Sequence, residues 1–173
     1  MPPERRTIGA INALSEDDFV AAFGDIAEHS PWVARTAAAM RPFADRAAMI
    51  AAFHKAVADA ERAAQYALLR AHPDLAGKAA LAGDLAFESL NEQAGAGLDR
   101  LTPEEFELFT RLNDDYRRRH GIPFILAVKG ATKHQILDAF AARMPNDTAT
   151  EFATALEQVG RIIRFRLEDR VSE

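Results

Sequence analysis

Apolar residues recur along this chain at intervals of three and four, the period of helices that bury one face. Phe19, Ala22, Phe23 and Ile26 form the first stripe, opened by Ser15 as an N-cap and by the acidic run Glu16-Asp17-Asp18, which suits the positive end of a helix dipole. Ser30-Pro31 places proline at a first helical position, and Trp32, Val33 and Thr36 carry that helix toward Arg41-Pro42. A third helix opens near Ala44 or Asp45 with Ala47, Ile50, Phe53 and Val57 on one face; helical composition continues through Ala64, Tyr66, Leu68 and Leu69 until Pro73 breaks it. The stretch from Ala76 to Gly97 is small and mixed, with a helix expected around Glu88 to Ala96 and no role legible for Ala76 to Ala86.

Thr102-Pro103-Glu104-Glu105 starts another helix, whose face of Phe106, Phe109, Leu112, Asn113 and Tyr116 runs to a glycine stop at Gly121. The next residues, Ile122 to Val128, are all apolar and include Pro123, so they predict a short buried extended segment, too isolated to build a sheet. Thr132 caps a helix with Ile136, Leu137 and Phe140 that Met144-Pro145 ends. Thr148 and Glu151 predict a capping box for the closing helix, which carries Phe152, Leu156, Val159, Ile162 or Ile163, and Phe165. With proline or glycine at nearly every junction, the pattern predicts an all-α, single-domain orthogonal helical bundle of about seven to nine helices over residues 1–173.

Composition narrows the function classes. The 173 residues suffice for one ordinary domain, and the chain has no cysteine, which removes disulfides, thiolate nucleophiles and cysteine-rich zinc sites and is compatible with a reducing compartment. A net charge of −5 argues against nucleic acid as the partner. The N-terminus is charged and leads into no signal-like apolar run, and no apolar stretch approaches the roughly 20 residues of a bilayer span, so a soluble cytoplasmic protein without a membrane partner is expected. Helical domains with an apolar last helix often dimerise, which makes a homodimer the first oligomeric state to test.

Candidate chemistry concentrates in three separated stretches: His72-Pro73-Asp74-Leu75, Ser89-Leu90-Asn91-Glu92-Gln93, and His120 through Ala127. Of five histidines, none pairs with another at helical metal-ligand spacing, so no metal site is expected. His72 stands at a helix end beside a proline, where an imidazole can enter a cleft and exchange protons near neutral pH; it can equally cap the last carbonyls of the helix. Ser89, Glu92 and Gln93 share one side of a helix, as ligand-binding groups or as an ordinary Ser-x-x-Glu capping box. The Pro123 to Val128 segment can offer backbone groups to a ligand or serve as a buried connection. Arg117, Arg118, Arg119 and Arg166 are the candidates for meeting a carboxylate.

Together these stretches resemble the 2-oxo-4-hydroxy-4-carboxy-5-ureidoimidazoline (OHCU) decarboxylase family, helical enzymes of urate breakdown. The residues that carry the resemblance are Leu68 to Leu75, then Ser89 with Glu92-Gln93, then Leu112-Asn113 with Tyr116 and the Gly121-to-Ile125 run, extending outward to Ser30-Pro31-Trp32 and Arg166-Leu167. Two departures are His120 and Ile122, where many members carry an aromatic residue and a phenylalanine, and neither removes a group the chemistry needs. The resemblance implies loss of carbon dioxide from the ureidoimidazoline to give (S)-allantoin, without metal or cofactor. It implies His72 as the general acid/base and Glu92 as its carboxylate partner. It also implies substrate contacts at Pro73, Ser89, Leu90, Asn91, Glu92, Gln93, Phe124, Ile125, Leu126, Ala127 and Val128, with backbone amides near Ile125 to Ala127 holding the ring oxygens. A helical binding module that keeps the fold without turnover is the alternative from another class.

Overall fold

The computed structural model describes residues 4–77 and 87–173. Among these residues there are nine helices and no strand beyond one isolated bridge between Arg6 and Val171. The helices are α1 (Ile8–Asn12), α2 (Glu16–Phe23), α3 (Pro31–Ala38), α4 (Arg46–Ala58), α5 (Arg62–Ala71), α6 (Phe87–Gly95), α7 (Pro103–His120), α8 (Lys133–Arg143) and α9 (Thr148–Arg170). The fold is thus all-α, as the helical periodicity predicts. Of the Ala76 to Ala86 stretch, residues 78–86 lie outside the described residues.

Local chemistry explains most boundaries. Ser15 Oγ accepts from Asp18 N–H at 3.1 Å and Asp45 from Ala48 N–H at 2.7 Å, while Thr102 with Glu105 and Thr132 with Gln135 close reciprocal capping boxes. Gly121 ends α7 at φ +73°, the left-handed conformation that favours glycine. Three boundaries correct the sequence reading. The composition that runs from Ala47 to Arg70 is two helices, divided at Asp59, whose N–H returns to Lys55 and Val57 carbonyls. α6 starts at Phe87, which puts Ser89 inside its first turn and rules out Ser89 as its N-cap. The cap of α9 is Asp147, whose Oδ1 accepts from Thr150 N–H at 2.7 Å, while the expected box partner Glu151 is fully buried.

Contacts cluster in two compact units. The first comprises the described residues up to Ala71 with Gly160–Glu173. Here α2 packs on α3 and α3 on α4, around Phe19, whose ring lies 5.1 Å from Phe23 and 6.2 Å from both Phe43 and Phe53. Two buried charges in this unit answer each other, Arg166 Nη1 donating to Glu28 Oε2 at 2.9 Å and also to the Ile26 carbonyl. The second unit comprises the described residues of His72–Val159, and its aromatic centre stacks Phe124 on Phe140 at 3.7 Å with Tyr116 edge-on to Phe124 at 5.1 Å. All three sequence motifs fall in this second unit.

Candidate active site

His72 follows α5 directly and is buried, 7% exposed, at the head of the turn Pro73-Asp74-Leu75-Ala76. That turn is held from two helices. On α6, Gln93 uses both ends of its carboxamide: Oε1 accepts from Ala76 N–H at 2.9 Å and Nε2 donates to the Asp74 carbonyl at 3.3 Å. On α7, Asn113 Nδ2 donates to the Leu75 carbonyl at 2.8 Å, and Arg117 pairs with the Asp74 carboxylate at 2.5 Å. The first and second motifs, distant in sequence, therefore meet at Gln93. On α6 itself Ser89 and Gln93 are buried one turn apart, Leu90 and Glu92 are half-buried, and Asn91 is exposed.

The third motif is the extended segment the sequence predicts, and among the described residues no ladder hydrogen bonds support it. Phe124, Ile125, Ala127 and Val128 are buried and Leu126 is half-buried. Side chains fix it instead. Arg143, at the end of α8, donates from Nη1 to the Ile125 carbonyl at 2.6 Å and lies 4.3 Å over the Phe124 ring. Gln158 on α9 accepts from Ala127 N–H at 3.0 Å, so that amide is not available to a ligand in the way the sequence reading supposes. Among the described residues the N–H groups of Ile125 and Leu126 have no acceptor.

Arg143 is held in turn by Glu151, whose Oε1 accepts from Arg143 Nε at 2.8 Å and from Tyr116 Oη at 2.6 Å, while Oε2 accepts from Asn146 Nδ2 at 3.0 Å. Burial works to raise the Glu151 carboxyl, but the hydrogen bonds from Tyr116, Asn146 and Arg143 and the arginine charge outweigh it and leave the pKa below the ordinary glutamate range. Burial and the bond to Glu151 push the Tyr116 phenol upward, so it stays a donor. The sequence reading missed Arg143, Glu151 and Gln158 as site supports: Glu151 carries a capping signal, Arg143 reads as a helix-dipole cation, and Gln158 leaves no local signal. The candidate arginines are already engaged, Arg117 with Asp74, Arg118 with Asp115, Arg119 with the Pro145 and Asn146 carbonyls, and Arg166 with Glu28.

A buried imidazole on a turn braced from α6 and α7, with an extended segment after α7 that is braced from α8 and α9, is equipment that suits an all-α enzyme of acid/base chemistry. Comparison with known proteins makes the class specific. A sequence profile for OHCU decarboxylase matches residues 12–168. The chain is 44% identical over 166 residues to the 2-oxo-4-hydroxy-4-carboxy-5-ureidoimidazoline decarboxylase of Haloferax volcanii, covering 96% of each chain. It is 40% identical to the uric acid degradation bifunctional protein PucL of Bacillus subtilis, covering 96% of this chain and 33% of that one. Among solved structures, (S)-allantoin synthase superposes with a TM-score of 0.75 at 31% identity, covering 96% of this chain and 54% of that one. The chain belongs to the OHCU decarboxylase family and is a carboxy-lyase.

Proposed function

We propose that this protein decarboxylates 2-oxo-4-hydroxy-4-carboxy-5-ureidoimidazoline to (S)-allantoin, completing the conversion of urate to allantoin, with His72 as the proton donor and Glu92 as its carboxylate partner. The observation that carries the reading is the placement of His72: a buried imidazole on a turn pinned by Gln93 and Asn113. Rupture of the ring-carbon to carboxylate bond releases carbon dioxide and leaves its electron pair to form a double bond to the neighbouring, ureido-bearing carbon. The imine pair of that carbon moves onto its ring nitrogen, which takes up a proton. The resulting enol then loses its hydroxyl proton as the carbonyl forms, and the ureido-bearing carbon gains a proton on one face. The substrate anion and one proton thus give allantoin and carbon dioxide.

On this reading His72 delivers the proton to carbon, which sets the configuration. Glu92, half-buried on α6, orients the imidazole or accepts from the ureido N–H groups. Backbone N–H groups of Ile125 and Leu126 hold ring oxygens, stabilising negative charge as donors that need not reorient. Pro73, Ser89 to Gln93 and Phe124 to Val128 form the remaining contact set, and residues 1–173 act as one catalytic domain. No helix among the described residues is long and apolar enough to cross a membrane. A cysteine-free sequence suits a cytoplasmic location, and a symmetric homodimer is the proposed assembly.

The test is circular dichroism of allantoin formed when the purified protein is added to urate being converted by the two preceding enzymatic steps. Rapid growth of the (S)-allantoin signal is expected. Slow racemic accumulation equal to the enzyme-free control would reject the activity and leave a helical binding module.

A further inference from the structure

The turn behind His72 is held in a conformation it would not adopt on its own. Ala76 sits at φ +55°, a left-handed backbone region that residues with a side chain rarely occupy and keep only where their surroundings dictate it. Three consecutive residues of this turn present the backbone groups that neighbouring helices grip: the Asp74 carbonyl, the Leu75 carbonyl and the Ala76 N–H. Each is met by a buried carboxamide, Gln93 at 5% exposure and Asn113 at 3%. A carboxamide carries a donor and an acceptor fixed in one plane, which lets Gln93 bind a carbonyl and an N–H two residues apart. Asn113 shows the cost of its assignment. Because Nδ2 has to face the Leu75 carbonyl, Oδ1 points elsewhere, and among the described residues it is buried without a partner. A leucine would fill similar space without burying an unpaired oxygen. What the amide alone supplies is the N–H on Leu75.

We infer that Gln93 and Asn113 are positioning residues for the decarboxylation: a clamp from α6 and α7 that fixes the turn and, through it, the direction in which the His72 imidazole presents its proton. Gln93, one of the substrate contacts proposed above, thus also acts on the backbone of the turn, its Oε1 and Nε2 each holding one group there. This inference rests on His72 being the proton donor.

The experiment compares Asn113→Leu, Gln93→Glu and His72→Asn with the wild type, reading kcat, KM, the enantiomeric excess of allantoin and the titration of the His72 ring by NMR. Displacement of a catalytic group by an ångström or so costs on the order of 10²-fold in rate. Asn113→Leu is expected to lose roughly 10- to 100-fold in kcat, with KM within about twofold, reduced enantiomeric excess and a shifted His72 titration. Gln93→Glu keeps the acceptor for Ala76 but sets a carboxylate oxygen against the Asp74 carbonyl, so it should lose kcat and enantiomeric excess at least as far as Asn113→Leu; it also provides the reading should Asn113→Leu not fold. Wild-type kcat and enantiomeric excess in the folded variants would overturn the clamp, as would a rise in KM at constant kcat, which would make these residues substrate contacts alone. Undiminished enantiomeric excess in His72→Asn would instead overturn the role of His72 itself, a separate outcome.

Discussion

Glu151 shows how a single side chain can support a site it never touches. Its carboxylate, completely buried, collects Tyr116, Arg143 and Asn146, and Arg143 in turn grips the Ile125 carbonyl. Removing one member of a buried ion pair leaves the other charge uncompensated and commonly costs about 3–5 kcal/mol. Glu151→Gln keeps the hydrogen-bonding shape and loses the charge, so a destabilisation near the lower end, about 3 kcal/mol, is expected in urea unfolding, together with a raised KM as the 124–128 segment loosens. The sign of the pH dependence follows from a depressed folded-state pKa. The stabilisation is complete above the ordinary glutamate range, where the unfolded-state carboxyl is ionised as well, and is lost as pH falls through that range toward the lower folded-state value. Unfolding curves measured from neutral to acid pH should therefore be steeper in pH for wild type than for Glu151→Gln; parallel curves would contradict the assignment. The sequence offered Glu151 only as a capping-box acid because that motif is local, whereas the groups that turn it inward come from α7 and α8. Glu92 is the converse case. With Ser89 inside α6 the capping-box reading lapses, and Glu92→Gln should lower turnover with little change in melting temperature; a large drop in melting temperature at normal turnover would reverse that reading.

At the scale of elements, α7 is the spine of the second unit. Asn113 and Arg117 reach the His72 turn, and Tyr116, within the same turn of helix, reaches Glu151. Its boundaries were legible because both are chemical: Thr102 with Glu105 opens it and left-handed Gly121 closes it. A Cβ built on Gly121 meets nothing within 4 Å, so Gly121→Ala tests backbone conformation alone, and a loss of about 1 kcal/mol is expected from thermal unfolding. No measurable loss would mean that the cap relaxes out of the left-handed region. Sequence periodicity failed where elements are short or alanine-rich. α1 spans five residues and buries only Ile11, too little to form a stripe, and the break between α4 and α5 falls in a run of good helix formers that a local pattern does not divide. The extended segment 122–128 was readable as buried, but its supports were not, since Arg143 and Gln158 lie 18 and 31 residues from the atoms they hold.

For the whole molecule, the family profile matches residues 12–168 and the alignment with the Haloferax volcanii relative covers 96% of each chain, so the likeness to that family runs through the helices of both units. The three candidate motifs fall in the unit formed by His72–Val159, where side-chain hydrogen bonds to backbone groups tie the first motif to the second through Gln93 and hold the third through Arg143 and Gln158. Such bonds keep polar backbone satisfied where neither helix nor sheet can do so. On the proposed mechanism one buried imidazole decides to which face of the planar intermediate the proton is delivered. The measurement that tests it most directly is the enantiomeric composition of freshly formed allantoin, read by circular dichroism, for wild type and for a folded His72→Ala variant. The expected result is (S)-allantoin from the wild type and racemic product from the variant at an unchanged far-ultraviolet helix signal. (S)-allantoin from the variant at undiminished excess would contradict it and move the proton donor elsewhere in the site.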